Sequence, residues 1–288
     1  MRQLIYDPKL HGTRMTIVCF VSGSGTNYQK IVERDPNHNY LVFTNRPGSE
    51  GGLKAKANGH IVLELSHVSY FREARVKYGG SIPRNCPERE KYERDVWQLI
   101  ESRLQKMPDL VCLAGYDLVF TDWTVERYPS KILNVHPGDT TKGYAGLHWI
   151  PTAKAILAGD EGIRSTLFLA DKGLDTGPVL VQSRLLKLFS ALETADLADL
   201  QKVIDDVKTQ SITTYEQFDK AADAEHKGIM KRVSERLQNA LKEKGDWEIY
   251  PFAVHDLIAK RRVEVDGREI YVDGKQLPVY GYRMDERL

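Results

Sequence analysis

The chain has 288 residues, 41% hydrophobic and 28% charged, with 41 Lys+Arg against 40 Asp+Glu and a net charge of +1. That length suits one large domain with additions, and the balanced charge excludes a general nucleic-acid binder. Cys19, Cys86 and Cys112 form no C-x-x-C pair, and neither a signal-peptide core nor a long apolar span occurs, so a cytoplasmic protein with reduced thiols and no membrane partner is expected.

Residues 1–14 read as a polar N-terminal extension. Met15 to Val21 is a continuous apolar run of the kind a central parallel strand needs. It ends in Ser22-Gly23-Ser24-Gly25-Thr26-Asn27 and a helical stretch from Tyr28. Further strands are predicted at 40–44 and 61–65, with a Gly-rich loop and helix over 47–58 between them. Residues 69–87, with Gly79, Gly80, Pro83 and Pro87, read as a surface loop. From Glu88 a helical period places Tyr92, Val96, Leu99, Ile100 and Leu104 on one face. Strands follow at 110–114 and 131–135 with a short helix near 122–128 between them, then a helix at 151–157 and strands at 166–170 and 179–183. Such alternation predicts an α/β fold: a Rossmann-like, mostly parallel sheet with helices on both faces.

Beyond Ser190 the character turns helical, over 191–207, 214–243 and 247–261, with Ser190 and Glu193 spaced as a capping box. Met230, Val233, Leu237 and Leu241 form a stripe read as helix packing. A C-terminal hairpin, 262–265 with 269–272, turns through Asp266-Gly267.

Three stretches carry chemistry. The turn at 22–27 offers unpaired N–H groups and the positive end of a helix dipole to an anion. Tyr28 stands where a dinucleotide fingerprint needs a third Gly, so a single phosphate fits better than NAD or ATP, and a ligand-free tight turn is the other reading. Asn134 and His136 alternate along one strand, so their side chains share a side. An amide beside an imidazole stabilises an oxyanion and moves a proton, as acyl or formyl transfer requires, or forms a structural pair. Asp175, in Asp-Thr-Gly-Pro, would orient the imidazole, although Asp-Thr-Gly is also a common turn. The remaining histidines lack metal-ligand spacing, so no metal is expected.

Taken in order, these motifs resemble the folate-dependent formyltransferases. The match includes Ser22 to Asn27, Thr44-Asn45-Arg46, Arg89-Glu90-Lys91-Tyr92, Leu113-Ala114-Gly115-Tyr116, Asn134-Val135-His136-Pro137, Gly146-Leu147-His148 and Leu174 to Val179. Ile249-Tyr250-Pro251 and Asp273 to Pro278 are similar to the branch that formylates glycinamide ribonucleotide. The resemblance implies transfer of a formyl group from 10-formyltetrahydrofolate, the co-substrate, to the amine of glycinamide ribonucleotide, a step of purine biosynthesis. It implies a catalytic group of Asn134, His136 and Asp175. Gly25, Thr26 and Asn27 would hold the substrate phosphate, Arg89 and Tyr92 would lie at the substrate or its approach, and Asp246, a Glu in the family, would bind ribose hydroxyls. The folate would lie along Asp117, Leu118 and Val119 and along Gly138 and Asp139. The formyltransferase domain then spans 15–288, with a helical insertion at about 205–244. Partners are small molecules, and the oligomeric state is open, with a homodimer one option.

The chain departs from the family pattern at Gly138-Asp139-Thr140-Thr141, where Ser, two bulky residues and Pro are usual, and at Asp117 to Phe120, which replaces Met-Arg-Ile-Leu. Asp139 adds a carboxylate beside the reacting centre, which raises hydrolysis of the formyl donor, or a different amine acceptor, as alternatives.

Overall fold

The computed structural model describes residues 1–144, 146 and 148–286, so Leu147 of the motif above lies outside the described residues. We label the main strands β1 (Thr16–Val21), β2 (Asn39–Thr44), β3 (Ile61–Glu64), β4 (Leu110–Leu113), β5 (Ile132–His136), β6 (Thr166–Leu169), β7 (Val179–Gln182), β8 (Val263–Asp266), β9 (Glu269–Val272) and β10 (Tyr282–Arg283). All but β8 and β9 belong to one eight-stranded, mostly parallel sheet. The chain divides into two units: Met1–Asn134, Phe168–Pro178 and Tyr250–Leu277 form the first, and Val135–Leu167, Val179–Ile249 and Pro278–Leu288 the second.

In the first unit the strand order is β5-β4-β1-β2-β3, and every ladder is parallel, with Ile17 opposite both Leu110 and Tyr40. All six residues of β1 are buried, which is why its sequence shows no alternation. Helices α1 (Thr26–Arg34), α2 (Glu50–Ala57), α3 (Val68–Lys77), α4 (Pro87–Leu104) and α5 (Asp122–Arg127) connect these strands. One apolar cluster joins Phe20, Phe43, Phe71, Tyr92, Trp97 and Tyr128. Inside it Glu93 accepts from Thr121 N at 2.7 Å and Thr121 Oγ1 at 2.6 Å. Burial outweighs these bonds and pushes its carboxyl pKa up.

Two sequence expectations are corrected in this unit. The 69–87 loop contains α3, which buries only Phe71 and Ala74, a stripe too narrow to produce a clear period. Within 1–14, Gln3 and Leu4 pair antiparallel with Val265 and Glu264, and Ile5 and Tyr6 are buried. In the hairpin Asp266 pairs with Glu269, so the two-residue turn is Gly267-Arg268 rather than Asp266-Gly267. Gly267 takes φ 61° there, the conformation a tight hairpin assigns to glycine.

The second unit contains α6 (Ile150–Leu157), α7 (Thr194–Thr209), α8 (Tyr215–Ala221) and α9 (Ala224–Leu241), and β7 pairs with β10 in parallel. Residues 205–244 hold α8, α9 and the end of α7. Met230, Val233, Leu237 and Leu241 are fully buried, in one cluster with Ala153, Ile156, Leu200 and Val203. The stripe is therefore the core of this unit. The helix expected over 214–243 breaks at Ala222, and Asp223 caps the next helix by accepting from His226 N. Glu193 caps α7 without a side-chain bond, and the capping box stands instead at Thr214 and Gln217.

Candidate functional site

In the first unit, the carboxyl ends of β1, β2 and β4 open into loops, the place where open α/β sheets bind ligands. Gly25 caps α1 in the left-handed conformation with no side-chain bond to the helix N-terminus. A Cβ on Gly25 would lie 2.6 Å from Gly51 Cα, at the start of α2, and Gly51 N donates to Gly23 O at 2.8 Å. Two helix N-termini are thus drawn together by a glycine-to-glycine contact. Asn27 is 7% exposed, and its Oδ1 is buried without a hydrogen-bond partner. The uncapped helix start offers N–H groups to a small anionic group, whereas the unmet Asn27 Oδ1, an acceptor, calls for a hydroxyl or N–H donor.

Asp117 is held in a network that the sequence did not announce. Its Oδ1 accepts from Ser22 Oγ at 2.7 Å and from Asn45 Nδ2 at 2.8 Å, and its Oδ2 pairs with Arg46. Burial raises its pKa, but the bonds from Ser22 and Asn45 together with the Arg46 charge outweigh that, and the carboxyl sits below its usual range. Asp117 therefore ties the loop after β4 to the ends of β1 and β2. Next to it Leu118 is partly buried and Val119 is 39% exposed, an apolar edge suited to an aromatic ring system.

Arg89 is half-buried, reaches Ile82 O at 3.4 Å and has its Nε buried without a partner. Tyr92 corrects an expectation. It is 1% exposed and donates its hydroxyl to Leu65 O at 2.9 Å, so it is a core residue of α4 with no face turned to a ligand. Asp175 lies in the loop 171–177 with φ 54°, in the left-handed region that a non-glycine residue seldom occupies.

In the second unit, His136 ends β5 and is 6% exposed. Its Nε2 lies 2.9 Å from Tyr144 O, and since a carbonyl only accepts, Nε2 carries a proton. Asn134, two residues earlier in β5 and still in the first unit, is half-buried. Gly138 has no room for a side chain: a Cβ there would lie 2.8 Å from Pro151 Cβ and 3.3 Å from His136 Cδ2. Asp139 Oδ1 accepts from Thr141 N at 3.0 Å, Thr141 Oγ1 at 2.6 Å and Gln182 Nε2 at 2.8 Å. Asp139 is thus a cap for the turn at 140–142, and the oxygen spent on it is saturated. Behind it a cavity of about 60 Å³ is lined by Lys142, Tyr144, Arg164 and Arg283, far below the roughly 300 Å³ at which ligand pockets begin.

Asp246 sits in a π-helical turn, Lys242–Asp246. It is 3% exposed and accepts from Ser165 Oγ at 2.5 Å. Its carboxylate is thus directed into the unit's interior rather than presented at a surface, which revises the ribose contact drawn from the resemblance.

Asp35, His38 and His255, in the first unit, bring potential metal-ligand atoms within 4.8 Å of one another. Met15 N donates to His38 Nδ1 at 3.2 Å, so in the neutral ring Nε2 holds the proton and offers no lone pair. His255 Nε2 lies 2.8 Å from Ile31 O, which leaves the lone pair on Nδ1. One imidazole and one carboxylate remain, short of a metal's usual ligand set.

A sequence profile of the formyl transferase family matches residues 15–214. The chain belongs to the formyl transferase family. The phosphoribosylglycinamide formyltransferase of Escherichia coli K12 is 24% identical over 277 residues, covering 94% of this chain and all of the relative. The trifunctional purine biosynthetic protein adenosine-3 of Drosophila melanogaster is 29% identical over 177 residues, 59% of this chain but only 12% of that protein. The structure of phosphoribosylglycinamide formyltransferase from Coxiella burnetii aligns with a TM-score of 0.61 at 21% identity, covering 94% of this chain and 99% of that one. At that identity it speaks for a shared fold. As a formyl transferase, the chain carries Asn134, Val135 and His136 at the end of β5. The Ser22, Asn45, Arg46 and Asp117 network was missed because its members are up to 95 residues apart. Ser22, Asn45 and Arg46 each stand in a family motif and Asp117 follows Gly115-Tyr116, but nothing in the sequence joins the four.

Proposed function

We propose that this formyl transferase moves the formyl group of 10-formyltetrahydrofolate onto the amine of glycinamide ribonucleotide. The observation that carries the reading is the end-to-end alignment with the E. coli phosphoribosylglycinamide formyltransferase, over 94% of this chain. The uncapped start of α1 supports it, since that acceptor carries a phosphate. Gly25, Thr26 and Asn27 receive the phosphate in this reading, and Arg89 lies on the approach. Asp246, whose Oδ1 already accepts from Ser165 Oγ, is the candidate ribose contact in this reading.

When bound, the folate supplies an activated formyl carbon and a nitrogen leaving group. Leu118 and Val119 offer its ring an apolar edge. The acceptor amine forms the new C–N bond as the bond to the folate nitrogen breaks. Asn134 donates to the carbonyl oxygen as negative charge develops, and His136, in its protonated form, stabilises the same oxygen. Asp175 is the third member of the proposed catalytic group. The proton lost by the amine passes, through His136 or water, to the departing nitrogen. The reactants are small molecules, the site of action is the cytoplasm, and among the described residues no helix is long and apolar enough to cross a membrane.

Asp139 Oδ1 accepts from Thr141 and Gln182, a structural use of this carboxylate that does not call for donor hydrolysis. A coupled assay with a panel of amine acceptors tests the proposal. Formyl transfer to glycinamide ribonucleotide is the expected result, and donor cleavage at the same rate without any acceptor would sink it.

A further inference from the structure

The loop that carries Asp175 is held more firmly than a surface turn requires. Arg268, at the tip of the β8–β9 hairpin, donates from Nη1 to Asp171 Oδ2 at 2.6 Å and from Nη2 to Thr176 O. The other oxygen of Asp171 accepts from Gly173 N at 2.9 Å and Thr176 Oγ1 at 2.7 Å. Arg84 grips the opposite shoulder, donating to Phe120 O at 2.7 Å, to Asp171 O at 3.1 Å and to Lys172 O. One guanidinium thus joins the 171–172 backbone to the end of the loop that bears Leu118 and Val119. All these groups lie in the first unit.

Inside this frame the loop has no slack. A methyl on Gly177 would fall 1.7 Å from Leu169 O, and one on Gly173 1.8 Å from Thr176 Oγ1. Asp175 occupies φ 54°, a conformation that costs an ordinary L-residue roughly 1 kcal/mol and persists only where surroundings over-determine it. The Asp171 carboxyl lies below its usual range: burial raises it, but the bonds from Arg268, Thr176 and Gly173 together outweigh burial.

We propose that Arg84 and Arg268 are positioning residues, which hold the 171–177 loop so that Asp175 keeps the backbone conformation from which it acts. The proposal rests on the formyl-transfer reading of Asp175. The Arg268 side chain is 65% exposed, so its loss weakens the frame without emptying the core. Exposed pairs of this kind contribute little to global stability, which separates a positioning role from a merely structural one.

The test is Arg268→Ala, with Arg268→Lys and Arg84→Lys beside it, read by hydrogen exchange and by steady-state kinetics. Exchange at Gly173 is expected to quicken about tenfold while peptides of β1 stay unchanged, as for a local opening. The kcat for formyl transfer is expected to fall roughly tenfold, one lost charge-assisted contact, with KM for the acceptor unchanged. Arg268→Lys restores part of both, because an ammonium reaches Asp171 but has no second arm for Thr176 O. An unchanged kcat in Arg268→Ala, with or without faster exchange, overturns the proposal. A wild type with no transfer activity removes the functional reading instead. In that event exchange alone decides the frame, faster exchange upholding it and unchanged exchange overturning it.

Discussion

Gly25 and Gly51 meet backbone to backbone, and a Cβ added to Gly51 would lie 2.9 Å from Gly25 Cα and 3.0 Å from Gly23 O. Neither contact is with a flexible side chain, so the turn at 22–27 has to move. Gly51→Ala is expected to cost about 1–3 kcal/mol, the usual penalty for overpacking, and to raise KM for the phosphorylated acceptor more than KM for the folate. Gly52→Ala is the control. Its Cβ would meet only Ser49 Oγ at 3.3 Å and other side chains, and alanine improves helix propensity by up to about 1 kcal/mol. Thermal melts with the two KM values check both, and equal behaviour of the two variants would remove the glycine contact from the argument.

Asp139 should prove to be an architectural carboxylate. Removing it in Asp139→Ala takes the acceptor from Thr141 N and leaves the buried Gln182 Nε2 only the longer contact to Thr166 Oγ1, at 3.4 Å. A buried donor weakened in this way costs roughly 1–3 kcal/mol. Asp139→Asn keeps one acceptor oxygen and is expected to retain most of the stability and the transfer rate. Denaturant unfolding and the acceptor-panel assay measure the two effects. A hundredfold loss of kcat in Asp139→Asn at unchanged stability would instead place the carboxylate in the chemistry.

Much of this architecture could be read from the sequence because it is local. Apolar runs marked β1 and β4, the shorter run Ile132-Leu133 marked the start of β5, and the period-two spacing put Asn134 and His136 on one side of its end. Pairing between distant segments had no such signal. Gln3 and Leu4 became a strand only by meeting residues 264–265, and Arg84 and Arg268 reached the 171–177 loop from 87–97 residues away. Tyr92 teaches a different lesson. The helical period had already placed it on a buried face with Val96 and Ile100, and only the resemblance moved it toward the substrate. Here the physical pattern was the better guide.

For the proposed catalytic group, His136→Ala and Asp175→Ala are each expected to lower kcat by roughly two to four decades, the range of acid–base and oxyanion losses. Asn134→Ala removes one donor to the developing oxyanion and should cost about two to three decades. The double variant His136→Ala with Asp175→Ala should be no worse than the poorer single variant by more than a small factor, because residues acting as one unit are not additive. Single-turnover rates on folded variants make the comparison. Near-wild-type turnover in either His136→Ala or Asp175→Ala would reject the assignment.

Two histidines should shape the pH dependence of stability with opposite signs. His255 is 5% exposed and stacks on His38 with centroids 5.2 Å apart. Burial above all, with the neighbouring His38, pulls its pKa down to about 4, against the raising effects of Ile31 O and Asp35. Between the unfolded value of about 6.5 and that folded value, the unfolded chain binds a proton that the folded chain refuses. Stability therefore falls as pH drops through this window, by at most about 1.4 kcal/mol per pH unit for one proton. His226 runs the other way. Its Nδ1 lies 2.8 Å from Asp223 Oδ1 and its Nε2 2.7 Å from Asp206 Oδ2, and the bond to Asp223 raises its pKa most. The stability it adds is complete below its unfolded pKa and is lost as pH rises through the raised folded one. Urea midpoints from pH 4 to pH 9 separate the two. His255→Gln should flatten the acid limb, while His226→Gln should lower the midpoint at pH 6 and leave it unchanged at pH 9. Added salt should shrink only the His226 effect, because Asp206 and Asp223 are 55% and 64% exposed and such charges are screened. A His226→Gln loss that is the same at every pH would show packing rather than charge to be what His226 contributes.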